Sequence, residues 1–267
     1  MHLAVFGKGK QEKSRKIPER VQKMSEILRL DRYLTAAGVL SRREAAAAVR
    51  KGLVRVNGAP EKDPGRHVDP EKDRVLCQGK EVLYRRTLTL MLNKPAGVVS
   101  ATEDGRDKTV LDLLPAEYRR QGLFPCGRLD KDTLGLLLLT NDGKLSHALL
   151  SPKHHAPKTY RFQLAEALPA AAAEAIGAGV ALEDGSVTAP AELSLSEDGR
   201  GGLITLTEGK YHEIKRIFGA LGNRVTYLER VSFAGIPLDP ALPRGSFRLL
   251  TEEEEALLQS WLDPAET

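Results

Sequence analysis

The stretch Gly127-Arg128-Leu129-Asp130 brings a glycine, a cation and a carboxylate together in a turn that leads into Leu136-Leu137-Leu138-Leu139. A wholly apolar run reads as a strand buried on both faces, so Asp130 is expected at the edge of a sheet with a rigid strand behind it. A carboxylate there can act as nucleophile or base, or it can close a structural salt bridge with the neighbouring arginine; spacing alone leaves both open. His212-Glu213 would open a zinc-binding helix only if a second histidine stood four residues on, and that position is Arg216. His154 and His155 are adjacent, so in an extended segment they point to opposite faces and do not share a metal. No metal site is expected. The sequence also lacks a Gly-x4-Gly-Lys-Ser/Thr phosphate loop, a Gly-x-Gly-x-x-Gly dinucleotide turn and a Gly-x-Ser-x-Gly elbow. Readings as ATPase, dehydrogenase or serine hydrolase lose their usual grounds.

The elements that must position Asp130 form a larger domain over residues 88–250. Leu88, Leu90 and Leu92 alternate ahead of Lys94-Pro95-Ala96-Gly97, a chain-reversing breaker, and strand signals recur at 136–139, 160–164, 203–206 and 225–228. Helical stretches fall at 144–150, 168–176 and 211–221; in the last, Ile214, Ile217, Phe218 and Leu221 follow the i, i+3, i+4, i+7 pattern. Strands and helices do not alternate regularly. The fold class is therefore α+β, with a mainly antiparallel sheet in preference to a doubly wound one. Residues 251–267 read as an acidic helix or tail, with Leu257, Leu258 and Trp261 on one face.

Residues 27–84 read as a small helix-rich module of their own, joined to the larger domain by a linker at 85–87. Ser41 followed by Glu44 is a capping box, and the helix formers after it stop at Gly52. A shorter helix precedes it, with Leu30, Leu34 and Ala37 inward. Alternating Leu53-Val54-Arg55-Val56 then meets Asn57-Gly58, a hairpin signal. Arg42, Arg43, Arg50 and Lys51 cluster at the two ends of one helix, which favours phosphate binding over a merely solvated surface.

The chain has 40 Lys+Arg against 36 Asp+Glu, a formal charge of +4 over 267 residues, but that average hides its distribution. Residues 1–26 hold seven basic and three acidic residues and read as a disordered arm; residues 27–84 hold twelve and eight. The positive excess lies in those segments, and the rest is net acidic. Apolar runs fall far short of the roughly 20 residues needed to cross a bilayer. With two cysteines, Cys77 and Cys126, and no leader-like start, a reducing cytoplasm is the expected compartment.

Two resemblances sharpen this reading. Leu30-Asp31-Arg32-Tyr33-Leu34, Gly38 to Ala45 and Val54-Arg55-Val56-Asn57-Gly58 resemble the RNA-binding domain named after small-subunit ribosomal protein S-four. Gly127 to Asp130 joins Asn93-Lys94-Pro95-Ala96-Gly97, Lys158-Thr159-Tyr160, Glu208 to Phe218, Leu228-Glu229-Arg230 and Gly235-Ile236-Pro237-Leu238. Together, over roughly residues 27–250, these resemble the RsuA-like family of pseudouridine synthases. Ser151-Pro152-Lys153-His154-His155 ahead of Lys158 is more similar to the members acting on small-subunit rRNA than to the large-subunit enzymes.

The resemblance implies an isomerase that converts one uridine of 16S rRNA to pseudouridine without a cofactor. Its alternatives are a 23S rRNA synthase and a non-catalytic ribosome-assembly protein. Asp130 would attack the ribose anomeric carbon or act there as a base, with Lys215 as its compensating cation. Tyr160 would stack on the uracil, although read without the resemblance it is a core aromatic alternating with Phe162. Arg128 would fill the space left by the flipped nucleotide, Leu228 would close the apolar side of the pocket, and Arg216 would touch RNA. Arg42 and Arg43 would hold phosphates. Expected partners are rRNA or the pre-ribosomal small subunit, with no membrane, and the expected state is a monomer.

Overall fold

The computed structural model describes residues 27–151 and 153–262; the basic segment expected to be disordered lies outside them. The small module begins with β1 (Leu28–Arg29), α1 (Leu30–Ala36) and α2 (Arg42–Arg50). The capping box forms, because Ser41 Oγ accepts from the Glu44 amide and the Glu44 carboxylate accepts from the Ser41 amide. α1 and α2 bury Leu30, Tyr33, Leu34, Ala45, Ala48 and Val49 against a small sheet. That sheet is built from β2 (Val54–Val56), β3 (Ala59–Glu61), β5 (Val75–Cys77) and β6 (Lys80–Val82) in the order β3-β2-β5-β6, while β4 (His67–Val68) pairs with β1. Asn57 and Gly58 both have positive φ, 53° and 85°, the backbone that a two-residue hairpin turn requires.

The larger domain is one nine-stranded sheet with both faces covered. Its strands are β7 (Thr89–Lys94), β8 (Phe124–Pro125), β9 (Leu134–Thr140), β10 (Lys158–Leu164), β11 (Glu192–Leu195), β12 (Gly201–Leu206), β13 (Val225–Phe233), β14 (Ile236–Pro237) and β15 (Phe247–Leu249). They run in the order β11-β12-β10-β13-β9-β7-β15, with β8 added to β9 and β14 to β13. β13 and β9 pair in parallel; the other pairings of this sheet are antiparallel among the described residues. Asp130 therefore stands at the entry of a central strand and not beside an edge strand. The sequence hides this, since the β13–β9 pairing joins residues about a hundred positions apart.

The leucine run divides between the two faces. Leu137 and Leu139 join Phe162, Ile204 and Leu228 beneath α5 (Ala172–Ala178) and α6 (Glu213–Ala220), whose Ile176, Ile214, Ile217 and Phe218 fill that side. Leu136 and Leu138 join Met91 and Phe233 beneath α4 (Gly143–Leu150) and α7 (Glu252–Gln259). The acidic C-terminal segment is thus a helix bound to the core: Leu258 is buried and Trp261 Nε1 donates to the Ala234 carbonyl at 3.3 Å. Leu257, one residue earlier and so about 100° away round the helix, is exposed.

The two domains meet where the chain after α1 lies on α3 (Ala116–Arg119). Gly38 has φ +74°, and a Cβ there would stand 2.0 Å from the Glu117 carbonyl oxygen. Gln121 Nε2 donates to the Ala37 carbonyl beside it. Arg85, in the connecting segment, reaches Glu255 of α7 at 3.2 Å, an exposed pair of little energetic weight.

The closest approach beside the Asp130 turn is Gly135, near the start of β9. It has φ +97° and faces Arg230 across the parallel pairing, where an added Cβ would lie 2.3 Å from the Arg230 carbonyl oxygen. Gly135→Ala must part β9 from β13 or strain its own backbone, which is expected to lower stability by roughly 2–4 kcal/mol. Urea unfolding of the two proteins checks this, and equal midpoints would contradict so close a packing.

Candidate active site

The turn that carries Asp130 is held from beneath by a buried lysine. Lys94, the last residue of β7, is fully buried, and the three N–H groups of its Nζ face four carbonyl oxygens within hydrogen-bond distance: Thr133 at 2.8 Å, Asp130 at 3.0 Å, Pro95 at 3.1 Å and Lys131 at 3.3 Å. Burial pushes its pKa down to about 8, against the pull of the Asp132 and Asp130 charges. Ser100 Oγ donates to the Leu129 carbonyl at 2.9 Å and accepts from the Leu129 amide at 3.1 Å. The Gly97 amide adds a bond to the Lys131 carbonyl at 2.8 Å. The backbone on both sides of Asp130 is fixed by groups from the β7 end of the sheet.

On this support the Asp130 side chain meets two basic groups from α6 and the residue before it. Lys215 Nζ is 3.0 Å from Asp130 Oδ2, and it also donates to Asp132 Oδ1 at 2.7 Å. His212 Nε2 is 3.5 Å from Asp130 Oδ1. Burial tends to lower the Lys215 pKa, but its bonds to Asp132 and Asp130 outweigh that and leave it above the ordinary lysine value. Its bond to Asp132 lowers that carboxyl in turn. The lysine stays charged at neutral pH. Ile214, Ile217 and Phe218 anchor α6 to the sheet, and Lys215, next round from Ile214, emerges at the margin of that buried face.

An open cleft of about 1460 Å³ surrounds these groups, lined among others by Asp130, Lys215, Tyr160, Leu228 and Arg128. Tyr160 and Leu228 come from neighbouring strands β10 and β13 and belong to the buried face of the sheet as well as to the cleft wall. The β10–β13 register shifts at Thr159/Tyr160, an irregularity of the kind that re-aims a side chain. Arg128 is exposed and has no hydrogen-bond or ion-pair partner among the described residues. Arg216 is placed apart from the others: its guanidinium is paired with Asp184 and does not line the cleft. Arg42 and Arg43 are exposed on α2 in the small module, likewise away from the cleft wall.

The structure adds residues that the sequence reasoning did not single out. Arg230 is buried, with Nε donating to the Leu136 carbonyl at 2.7 Å, its guanidinium 4.8 Å from the Phe233 ring centre and Nη2 without a hydrogen-bond partner among the described residues. Lys158 is also buried and donates to the Ala156 carbonyl at 2.8 Å; burial first, then the Arg230 charge, lowers its pKa. Both line the cleft, as do His212 and Glu213. All lie inside motifs already legible as Lys158-Thr159-Tyr160, Leu228-Glu229-Arg230 and Glu208 to Phe218. What the motifs could not say is which members turn inward.

Glu213 is buried, its Oε2 accepts from the Lys210 amide at 2.9 Å and its Oε1 has no donor. Burial, and then the neighbouring Glu208 carboxylate, raise its pKa to about 7. A proton on Glu213 lets it donate to Glu208. Because the folded protein holds this proton where the unfolded chain has lost it, the group favours folding below the unfolded carboxyl pKa of about 4.5. That contribution fades as pH rises through about 7. Glu213→Gln, which mimics the protonated form, is expected to be more stable than the wild type at pH 8 and to remove part of the pH 5–7 decline. Paired urea titrations at pH 5 and pH 8 check it; a parallel decline in both proteins would refute the protonated carboxyl.

Comparison with known proteins agrees with this architecture. Residues 88–220 match the RNA pseudouridylate synthase family and residues 28–75 match the S4 domain. An uncharacterized RNA pseudouridine synthase of Bacillus subtilis, YtzG, is 48% identical over 234 residues, covering 86% of this chain and 98% of its own length. Ribosomal small subunit pseudouridine synthase A of Vibrio cholerae is 42% identical over 230 residues, with 86% and 98% covered. A crystal structure of a pseudouridylate synthase superposes with TM-score 0.62 at 35% identity, covering 86% of this chain and 99% of the other. The chain belongs to the RNA pseudouridine synthase family of isomerases and carries an S4 domain ahead of its synthase domain.

Proposed function

We propose that this protein isomerises one specific uridine of 16S rRNA to pseudouridine, with Asp130 as the reacting group. The observation that carries the proposal is the Asp130–Lys215 pair at 3.0 Å, set in an open cleft with Tyr160 and Leu228. The reaction breaks the bond between the ribose anomeric carbon and N1 of uracil, turns the base and forms a bond to C5, whose hydrogen leaves as a proton. Nothing is oxidised or reduced overall, so the chemistry calls for no cofactor. Asp130 acts at the anomeric carbon as nucleophile or base. Lys215 pairs with its carboxylate and orients it. Tyr160 stacks on the uracil once it has left the helix, and Leu228 covers its other side. Arg128 occupies the gap in the RNA, and Arg216 touches RNA outside the cleft if Asp184 releases it.

The small-subunit target is supported by the likeness to the Vibrio cholerae protein and by the Ser151-Pro152-Lys153-His154-His155 segment. Under this reading the protein works as a monomer in the cytoplasm, on rRNA or a partly assembled small subunit. Among the described residues, no helix is long and apolar enough to cross a membrane.

Asp130→Asn is expected to abolish the modification while leaving RNA binding intact, read by chemical mapping of pseudouridine on 16S rRNA from cells carrying only that copy. Persistence of the modification would sink the assignment, and a modification that maps instead to 23S rRNA would replace the target. For the small module, Arg42→Ala combined with Arg43→Ala removes two exposed cations. It is expected to flatten the slope of log affinity against log salt by about 1.5 units. An unaltered slope in filter binding across salt concentrations would remove these arginines from the phosphate contacts.

A further inference from the structure

Beside Asp130 the cleft has an aromatic feature that neither the reacting carboxylate nor the uracil pocket uses. Tyr211 is 73% exposed and lies at the rim. Its ring stacks on that of His212, with centroids 3.8 Å apart and planes inclined by 21°. His212 has φ +50°, a left-handed backbone uncommon for a residue with a side chain. Strain of this kind persists where surrounding structure enforces it and clusters at functional sites. Here the surroundings are the first turn of α6, in which the Arg216 amide donates to the His212 carbonyl at 2.9 Å and the Lys210 amide is held by Glu213. The result is a flat, pre-ordered ring pair with one face in solvent, and its histidine is 3.5 Å from the Asp130 carboxylate.

The cleft's 1460 Å³ exceeds the roughly 300–1,000 Å³ of sites for one small ligand, so a single flipped uridine leaves space. Arg128, which also lines the cleft and has no partner among the described residues, is available to a phosphate between two nucleotides. We propose that Tyr211, braced by His212, is a stacking platform for a nucleobase adjacent to the target uridine. Every base has a π-face, so such a platform tolerates sequence while fixing the path of the strand as it leaves the pocket. The ligand class is an unstacked base of single-stranded or locally opened RNA. This inference rests on reading the cleft as the RNA-modifying site.

The test compares Tyr211→Ala, Tyr211→Phe and wild type; Tyr211 is outside the core, and matching thermal melts establish that each variant is folded. The first measurement uses an oligouridylate with a single 2-aminopurine, whose fluorescence falls when an aromatic ring stacks on it. Wild type and Tyr211→Phe are expected to quench it at saturating protein, and Tyr211→Ala to lose most of the quench. The second follows tritium released from C5 of [5-³H]uridine in a 16S rRNA transcript. Tyr211→Ala should raise KM by on the order of tenfold to a hundredfold, with the phenylalanine variant close to wild type. Equal quenching by all three proteins overturns the platform, as does an unchanged KM. No tritium release from wild type counts against the proposed function, while the quench comparison still decides the platform by itself.

Discussion

A single buried ammonium organises the active-site half of this molecule. Lys94 has no contact with water, and an unpaired cation there would carry a desolvation cost of several kcal/mol. Four carbonyl oxygens around Nζ offset that cost, and three of them belong to Asp130, Lys131 and Thr133. The dependence is mutual. Without the lysine the carbonyls of this turn would be buried with too few donors; without the turn the lysine could not remain charged inside the sheet. Because β7 and β9 are paired from Thr89–Thr140 to Lys94–Gly135, the ammonium is delivered by a strand that cannot shift without breaking its register. Asp130 inherits that rigidity.

The side-chain electrostatics above this floor follow from having two carboxylates and one lysine. Lys215 is shared between Asp130 and Asp132. If Asp130 spends its charge in attack on ribose, Lys215 still has Asp132 as a partner and need not move or lose its proton. The second carboxylate is exposed, so its own pairing carries a modest energy; its value lies in geometry. Lys158 and Arg230 add positive charge beneath the cleft, each turned toward a backbone carbonyl. A cleft floored by cations receives an anionic polymer without requiring the whole domain to be basic.

What was legible in the sequence was local. The leucine run, the Ser41–Glu44 box and Asn57-Gly58 each encode their geometry within a few residues, and each forms as its pattern requires. Lys94 was read as part of a chain breaker because Pro95 and Gly97 dominate that tetrapeptide; the fate of its side chain depends on carbonyls 36 to 39 residues away. The same limit placed Asp130 at an edge, since one parallel pairing to β13 decides otherwise. Arg216 is a surface cation on the helical wheel, and only the fold reveals Asp184 opposite it. His212 was weighed as a zinc ligand and set aside for want of a second histidine; its place beside Asp130 comes from a backbone conformation that residue spacing does not encode.

The relation between the two domains rests on shape more than on charge. The ion pair from Arg85 to Glu255 is exposed at both ends and screened by salt, so it contributes little to holding them. Gly38 against Glu117 is different in kind: backbone meets backbone at a distance that admits no side chain. That contact fixes the spacing between the arginines of α2 and the cleft. The synthase domain, residues 88–250, carries 19 basic and 19 acidic side chains, so with no net charge it does not attract RNA at long range. On the proposed reading, an RNA held by α2 alone gains nothing from the synthase domain until its strand reaches the local cations of the cleft. Under the proposed function, discrimination among uridines depends on a geometric match between two separated sites, with the S4 domain setting the reach and the rigid Asp130 turn setting the target.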